Sequence, residues 1–451
     1  MFLRLLCNPH FYPAFQSTKN HQIISTNPCF KSKGPSELLW PVVIFLNGCF
    51  RKTMNTLTDE DQKYTDSETL PWQSFLEAAE SRDSATSLTH PLYRYPARMS
   101  PQLARALILG LTRPGDLVLD PFVGGGTTAI EALSTGRRVI CSDLNPLACF
   151  VTRAKAWPAD NKALHEYQMW SSSLISNILH SQYVAVLLST PNTTEFSQLT
   201  ESLLLFLRTK ALCLENPGAR RLALFTVLRV GQLCYDCRRV FPSPWDLIQK
   251  IRIVSKEVLK QMKVYSKVCR KYKWPGGFRQ NFKVFESDAE NLPDHVVLDP
   301  LPPVSLILTS PPYPCVHVLY HRWQLLGRKE TSLPYQILQL TDGAGESHYT
   351  FGSRKRPDGH YFTKLYTVFK SLKSIITPST IVAQVVGFSD PKQQLPRFRS
   401  TMEMAGFEEV MKPNSTDGII KRIVPHRKWY VEVKSNQINS HEFVLLHRPC
   451  Q

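Results

Sequence analysis

The chain has 451 residues, 43% of them hydrophobic and 20% charged, which excludes wholesale disorder and a fibrous repeat and leaves room for a sizeable buried core. Its 54 Lys+Arg against 37 Asp+Glu give a net charge of +17, so a polyanionic partner is expected, nucleic acid ahead of an anionic membrane surface. Its 11 cysteines, odd in number and scattered apart from Cys234 and Cys237, argue against a disulfide framework and fit a reducing compartment.

Residues 1–53 hold six Lys/Arg, a single acid (Glu37) and no sustained period. The apolar run Leu38 to Leu46, broken by Pro41, is far shorter than the roughly 18 to 20 residues of a membrane span and starts too late for a signal peptide. This segment reads as a dispensable leader ahead of Met54, with organelle targeting or a genuine arm as alternatives. Residues 54–87 read as an acidic, helix-compatible linker. Pro101 to Leu111 then carries apolar residues at helical spacing and is stopped by Arg113-Pro114-Gly115-Asp116.

Leu117-Val118-Leu119 predicts a short buried strand. It runs into Asp120-Pro121-Phe122-Val123-Gly124-Gly125-Gly126-Thr127-Thr128, after which a helical pattern resumes at Ala129 and Gly136 closes it. Val139 to Cys141 predicts a second strand ending at Asp143, and Pro146 to Ala156 another helix. This βαβα order predicts an open parallel sheet. Glycine at 124 to 126 allows a tight turn and lets a ligand approach backbone amides, while an acid at the second strand's tip suits a ribose diol. The loop is not the dinucleotide fingerprint, because Asp-Pro-Phe precedes it, and alone it also fits a plain glycine-rich turn.

Val304 to Leu308 predicts a further buried strand, ending in Thr309-Ser310-Pro311-Pro312-Tyr313. The two prolines fix the backbone and remove two amide donors, so a hydroxyl, rigid carbonyls and a ring stand together where an exocyclic amine can be held. Alone, this is also compatible with a simple proline turn.

Taken together, these segments resemble the S-adenosylmethionine-dependent DNA amino-methyltransferases, which methylate cytosine N4 or adenine N6. Asp120 to Thr128 looks like their cofactor loop and Ser310-Pro311-Pro312-Tyr313 like their catalytic tetrapeptide. Tyr95-Pro96-Ala97-Arg98-Met99 is similar to the segment they place against the methionine moiety, and Asp288 stands where they put an acid near the adenine amine. The resemblance covers about residues 88–158 and 284–449. It implies a Rossmann-like class I methyltransferase sheet with a terminal antiparallel hairpin. It implies S-adenosylmethionine bound by Pro96, Arg98, Asp120, Phe122, Gly124, Gly126, Thr127, Thr128, Asp143 and Asp288. Ser310, Pro311, Pro312 and Tyr313 then become the catalytic residues, Tyr313 stacking on a flipped base. Serine at the first tetrapeptide position favours N4-cytosine; N6-adenine or an RNA base remain alternatives, as does a non-catalytic nucleic-acid-binding module. No metal is implied.

Residues 159–283 are too long for a connection and read as a mainly helical, basic insertion, with residues 284–451 completing the catalytic domain. Lys250 to Lys283 holds eleven Lys/Arg and one acid. Arg252, Lys256, Lys260, Lys263 and Lys267 share one helical face, which favours contact with DNA phosphates over a merely solvated surface. Tyr265, Tyr272, Trp274 and Phe278 interleave with the bases as core residues or stacking partners. Cys234-Tyr235-Asp236-Cys237 lacks a second pair at zinc spacing. Toward the end, Ile381 to Val386, Trp429 to Val433 and Glu442 to Leu446 read as strands. The turn-rich stretch Arg322 to His360 reads as a groove lining or a surface loop.

Overall fold

Short aliphatic runs bounded by Asp, Gly and Pro set the strands, and their burial on both faces is what a parallel sheet covered by helices requires. In the computed structural model the described residues are 70–82, 86–95, 98–179, 193–238, 242–314, 323–325, 329–341, 351, 359–415, 417–424 and 440–450. The expected leader, Pro96, the strand expected at Trp429–Val433 and the basic run Gly352–Arg356 lie outside them.

The described elements begin with α1 (Trp72–Glu80), α2 (Pro101–Leu111), β1 (Leu117–Asp120), α3 (Thr127–Ser134), β2 (Arg138–Asp143) and α4 (Pro146–Ala156). Proline opens both α2 and α4, where its missing N–H costs nothing, and Ser100 and Asn145 cap them. The insertion supplies α5 (Asn161–Leu179), α6 (Thr193–Leu212), α7 (Pro217–Tyr235) and α8 (Pro244–Cys269). There follow β3 (Phe282–Glu286), β4 (Val304–Thr309), a two-stranded ribbon β5 (Trp323–Leu325) and β6 (Lys329–Thr331), and α9 (Leu333–Leu338). The chain closes with α10 (Gly359–Leu372), β7 (Ile376–Gly387), α11 (Pro391–Met404), β8 (Phe407–Glu409), β9 (Ile420–Val424) and β10 (Ser440–Pro449).

The main sheet runs β3-β2-β1-β4-β7-β10-β8, with β9 also on β10. β3, β2, β1, β4 and β7 are parallel, and β10 is antiparallel to β7, β8 and β9. This is the α/β sheet expected of a class I methyltransferase. Alternate residues sort its two faces. Val118, Leu306, Leu308, Ala383 and Val385 pack with α1 to α4 and the insertion helices, while Leu119, Ile307, Val382 and Val386 pack with α10 and α11.

One sequence expectation is corrected. β3 starts at Phe282, so the sheet takes its edge strand from the last two residues assigned to the insertion. The expected antiparallel terminal strand is β10, whose partners among the described residues are β7, β8 and β9; β8 and β9 are too short and mixed in polarity to stand out in the sequence. Tyr265 is fully buried in the helical core, donating from Oη to the Ala156 carbonyl at 2.9 Å, and Trp274 and Phe278 pack edge-on at 5.1 Å, so these rings serve packing.

Gly126 caps α3 in the left-handed region (φ 81), and a Cβ there meets Thr152 Oγ1 at 2.9 Å and Thr152 Cα at 3.2 Å. Gly115 has similar dihedral strain (φ +93) with open space around it. Gly115→Ala should therefore cost about 1 kcal/mol from backbone strain alone, and Gly126→Ala about 2 kcal/mol or more. Urea unfolding of both variants checks this; equal losses would mean that α3 and α4 approach less closely at Gly126 than described.

Candidate active site

Strand order reverses between β1 and β4, so their C-terminal ends diverge and leave a crevice, the position where open α/β sheets bind ligands. An open cleft lies there. From the residues expected at a cofactor it is lined by Arg98, Asp120, Phe122, Gly124, Thr127, Thr128, Asp143 and Asp288, and from the tetrapeptide by Ser310 and Pro312. The fold thus brings the glycine loop and the tetrapeptide, nearly two hundred residues apart in sequence, to one cleft.

The junction is a hydrogen bond. Thr309 Oγ1 at the end of β4 donates to Asp120 Oδ1 at the end of β1 at 2.6 Å, and the Phe122 amide donates to the same oxygen at 3.1 Å. Burial pushes the Asp120 carboxyl up to about 6 despite these donors. Asp143, at the tip of β2, receives the Gly124 amide on Oδ2 and the Asn145 amide on Oδ1, each at 2.9 Å. Burial raises it to about 6 as well, with Asp120 nearby adding repulsion. Two backbone donors leave each oxygen one lone pair, enough for the two hydroxyls of a ribose.

The glycine loop is held from behind. Thr152 Oγ1 donates to the Gly124 carbonyl at 3.1 Å and Lys155 Nζ to the Gly125 carbonyl at 2.7 Å. Lys155 is fully buried, and burial with repulsion from Arg98 and Arg229 lowers it to about 7. These carbonyls turn toward α4, away from the α3 N-terminus. Gly126 does not line the cleft; its part is the left-handed cap of α3. Arg98 donates Nη1 to the His90 carbonyl at 2.8 Å. Asp288 is ion-paired with Lys364 Nζ at 2.9 Å, so its charge is partly engaged before any ligand arrives.

Ser310 donates Oγ to the Val385 carbonyl at 2.8 Å, which uses its proton and leaves its lone pairs as acceptors. Tyr313 is 5% exposed, packs its ring on Gly387 and donates Oη to Glu442 Oε1 at 2.9 Å. Arg422 Nη1 in turn pairs with Glu442 Oε2 at 2.7 Å. Neither Tyr313 nor Pro311 lines the cleft; the Tyr313 ring, expected to stack on a flipped base, packs in the core beside the tetrapeptide in this structure. Residues that sequence reasoning missed include Asn145 and Phe351 in the lining and Glu442, Lys364 and Lys155 behind it, while Met99 and Gly125 line the cleft from segments the sequence had marked. Asn145 precedes a helix-opening proline, a cap signal visible in the sequence; Glu442 carries no such signal.

On α8, Arg252, Lys256, Lys260, Lys263 and Lys267 are all exposed, with Ile251, Val254, Val258, Met262 and Tyr265 buried opposite. A capping box between Ser243 and Asp246 starts this 26-residue helix, about 39 Å long. Trp245, Ile253 and Val264 are exposed among the bases, at 62%, 65% and 48%. Its C-terminal half is anchored at the C-terminal end of α4, through Tyr265 and through the Ala159 amide donating to Ser266 Oγ at 2.9 Å. Cys234 is buried and Cys237 exposed, and among the described residues no group of His, Cys, Asp and Glu gathers to hold a metal. No helix of the described residues is long and apolar enough to cross a membrane.

Residues 28–152 match the DNA methylase family of N6 and N4 methyltransferases, a match that begins within the segment read as a leader. Over 80 residues the chain is 40% identical to the type II methyltransferase M.MvaI of Kocuria varians, covering 17% of this chain and 18% of that protein. It is 39% identical over 51 residues to the DNA adenine methyltransferase YhdJ of Escherichia coli, 11% of this chain and 17% of that one. It is 46% identical over 52 residues to a tRNA (guanine(10)-N2)-dimethyltransferase of Methanothermobacter thermautotrophicus, 11% of this chain and 16% of that one. The matches span less than a fifth of these relatives' own lengths. The family match supports the resemblance to the N4/N6 DNA amino-methyltransferases.

An ionised Asp143 accepts ribose hydroxyls more strongly than a neutral one. If Asp143 holds the ribose of S-adenosylmethionine, then with its carboxyl raised to about 6 the affinity should be full above that pH and fall below it, as protons compete for the acceptor. Asp143→Asn should bind more weakly at pH 7.5 and show a shallower acid loss. Calorimetric titration between pH 5 and 8 reads both; a wild-type profile in the variant would remove Asp143 from the ligand.

Proposed function

We propose that this protein transfers a methyl group from S-adenosylmethionine to the exocyclic N4 amine of a cytosine in DNA. The observation that carries the reading is the single cleft shared by the glycine loop with its two carboxylates and by Ser310 and Pro312. Its chemistry fits the cofactor: Asp143 offers acceptors for a diol, Thr127 Oγ1 is buried without a partner among the described residues at the start of α3, and Met99, Phe122 and Phe351 supply apolar walls. When bound, S-adenosylmethionine supplies an electrophilic methyl group on a sulfonium sulfur.

The chain's own residues then position the nucleophile. Ser310 Oγ, its proton committed to the Val385 carbonyl, accepts an N–H of the target amine and turns the nitrogen lone pair toward the cleft. The Pro311 carbonyl, next to Ser310 at the edge of the cleft, is the second acceptor for the same amine. No covalent bond to the protein is required, since orientation and electrostatics carry such a displacement. A duplex base leaves its stack to enter, at a cost of a few kcal/mol. The exposed basic face of α8 holds the phosphates. Serine in place of an acid at 310 favours cytosine N4 over adenine N6.

Incubation with S-adenosylmethionine and unmodified DNA, followed by nucleoside mass spectrometry, should yield N4-methylcytosine. N6-methyladenine alone would overturn the base assignment, and methylation of RNA alone would overturn the nucleic acid. If α8 contacts phosphates, replacing Lys256, Lys260 and Lys263 by Gln should weaken binding to all sequences alike and flatten the slope of log affinity against log salt by about two to three units. Parallel lines for wild type and variant would return these residues to ordinary solvated surface.

A further inference from the structure

Asn145 carries a donor that the helix it caps does not use. Its Oδ1 accepts from the Leu147 amide at 2.9 Å and from Tyr335 Oη at 3.0 Å. The Leu147 N–H can only donate, so it fixes the amide orientation, with Oδ1 toward the helix and Nδ2 turned away from it. Asn145 lines the cleft, is 2% exposed, and its Nδ2 finds no partner among the described residues. Buried polar atoms are nearly always paired, so a buried, rigidly held donor on a residue that lines a ligand cleft points to pairing by the ligand.

The neighbours identify the part of the ligand. The Asn145 backbone amide already donates to Asp143 Oδ1, which puts its side chain beside the carboxylate suited to a ribose, with Leu144 and Ala289 supplying apolar surface for a planar base. The acceptors available there are ribose oxygens and ring nitrogens. We infer that Asn145 Nδ2 donates a hydrogen bond to an acceptor on the adenosine moiety of the cofactor, making this helix cap a cofactor-binding residue. The inference rests on the function proposed above. Because Tyr335 belongs to α9, which packs on the insertion helices, the donor's orientation depends on a segment beyond the tetrapeptide.

Two variants test it. Asn145→Asp keeps an acceptor for the Leu147 amide and Tyr335, loses the donor and adds a charge beside Asp143, whereas Asn145→Ser keeps a helix cap and removes the donor without adding charge. Titration of the full chain with S-adenosylhomocysteine and with adenosine should show about tenfold weaker binding in both variants, the serine variant reading the loss of the donor alone. Melting temperature reads the fold separately and should stay near the wild-type value in at least one variant. Wild-type affinity in a folded variant overturns the inference while leaving the proposed function standing. Loss for S-adenosylhomocysteine but not for adenosine overturns the assignment to the nucleoside. A wild-type protein that binds neither ligand overturns the proposed function and this inference with it.

Discussion

The hydrogen bond from Thr309 to Asp120 joins two strands whose contributing residues lie 189 positions apart, at the point where the reversal of strand order opens the cleft. β1 and β4 are adjacent and parallel, and chain order runs outward from them in both directions. Everything that follows β1 turns one way and everything that follows β4 the other, so the glycine loop and the tetrapeptide become opposite lips of one crevice. A buried carboxylate near neutral pKa is expensive to keep, and Thr309 and the Phe122 amide offset part of that cost.

Around this junction the site is braced from three directions. Behind the glycine loop, Thr152 and the buried Lys155 hold two successive carbonyls. Beneath the tetrapeptide, Tyr313, Glu442 and Arg422 form a chain that ties catalytic-loop geometry to the antiparallel strands β10 and β9. Beside the second carboxylate, Asn145 is held by Tyr335. Each brace comes from a different part of the chain, which keeps side chains at the cleft in single rotamers. Tyr313 is the clearest consequence. A ring packed on Gly387, with its hydroxyl bonded to a buried carboxylate, supports the loop's shape in this structure more than it presents a surface to a base.

The insertion follows a different logic. Its helices bury Tyr167, Phe225, Val258, Met262 and Tyr265 against one another and against α4, so residues 64–451 form one compact unit and the basic helix is fixed to the sheet. The charge then faces outward along a rigid rod with three exposed apolar side chains among the bases. A rod of that kind presents cations at regular spacing, as a backbone of phosphates requires.

The sequence by itself determined what depends on neighbours along the chain. The helices at Pro101–Leu111 and Pro146–Ala156 are legible to the residue, because capping, proline at the first position and apolar spacing are local signals. The glycine loop, the acid at the tip of β2 and the basic face of α8 are legible for the same reason. Only the tertiary structure decided which of these meet. Glu442 looks like any acid alternating in a strand until β10 lies beside β7 under Tyr313. Lys155 looks like a surface base near a helix end until the packing of α4 buries it behind Gly125. Tyr265 could be surface or core until α8 is laid on α4. In each case the deciding contact joins segments far apart in sequence, and its energy comes from burial and from donors brought together by strand order, quantities that no local pattern encodes.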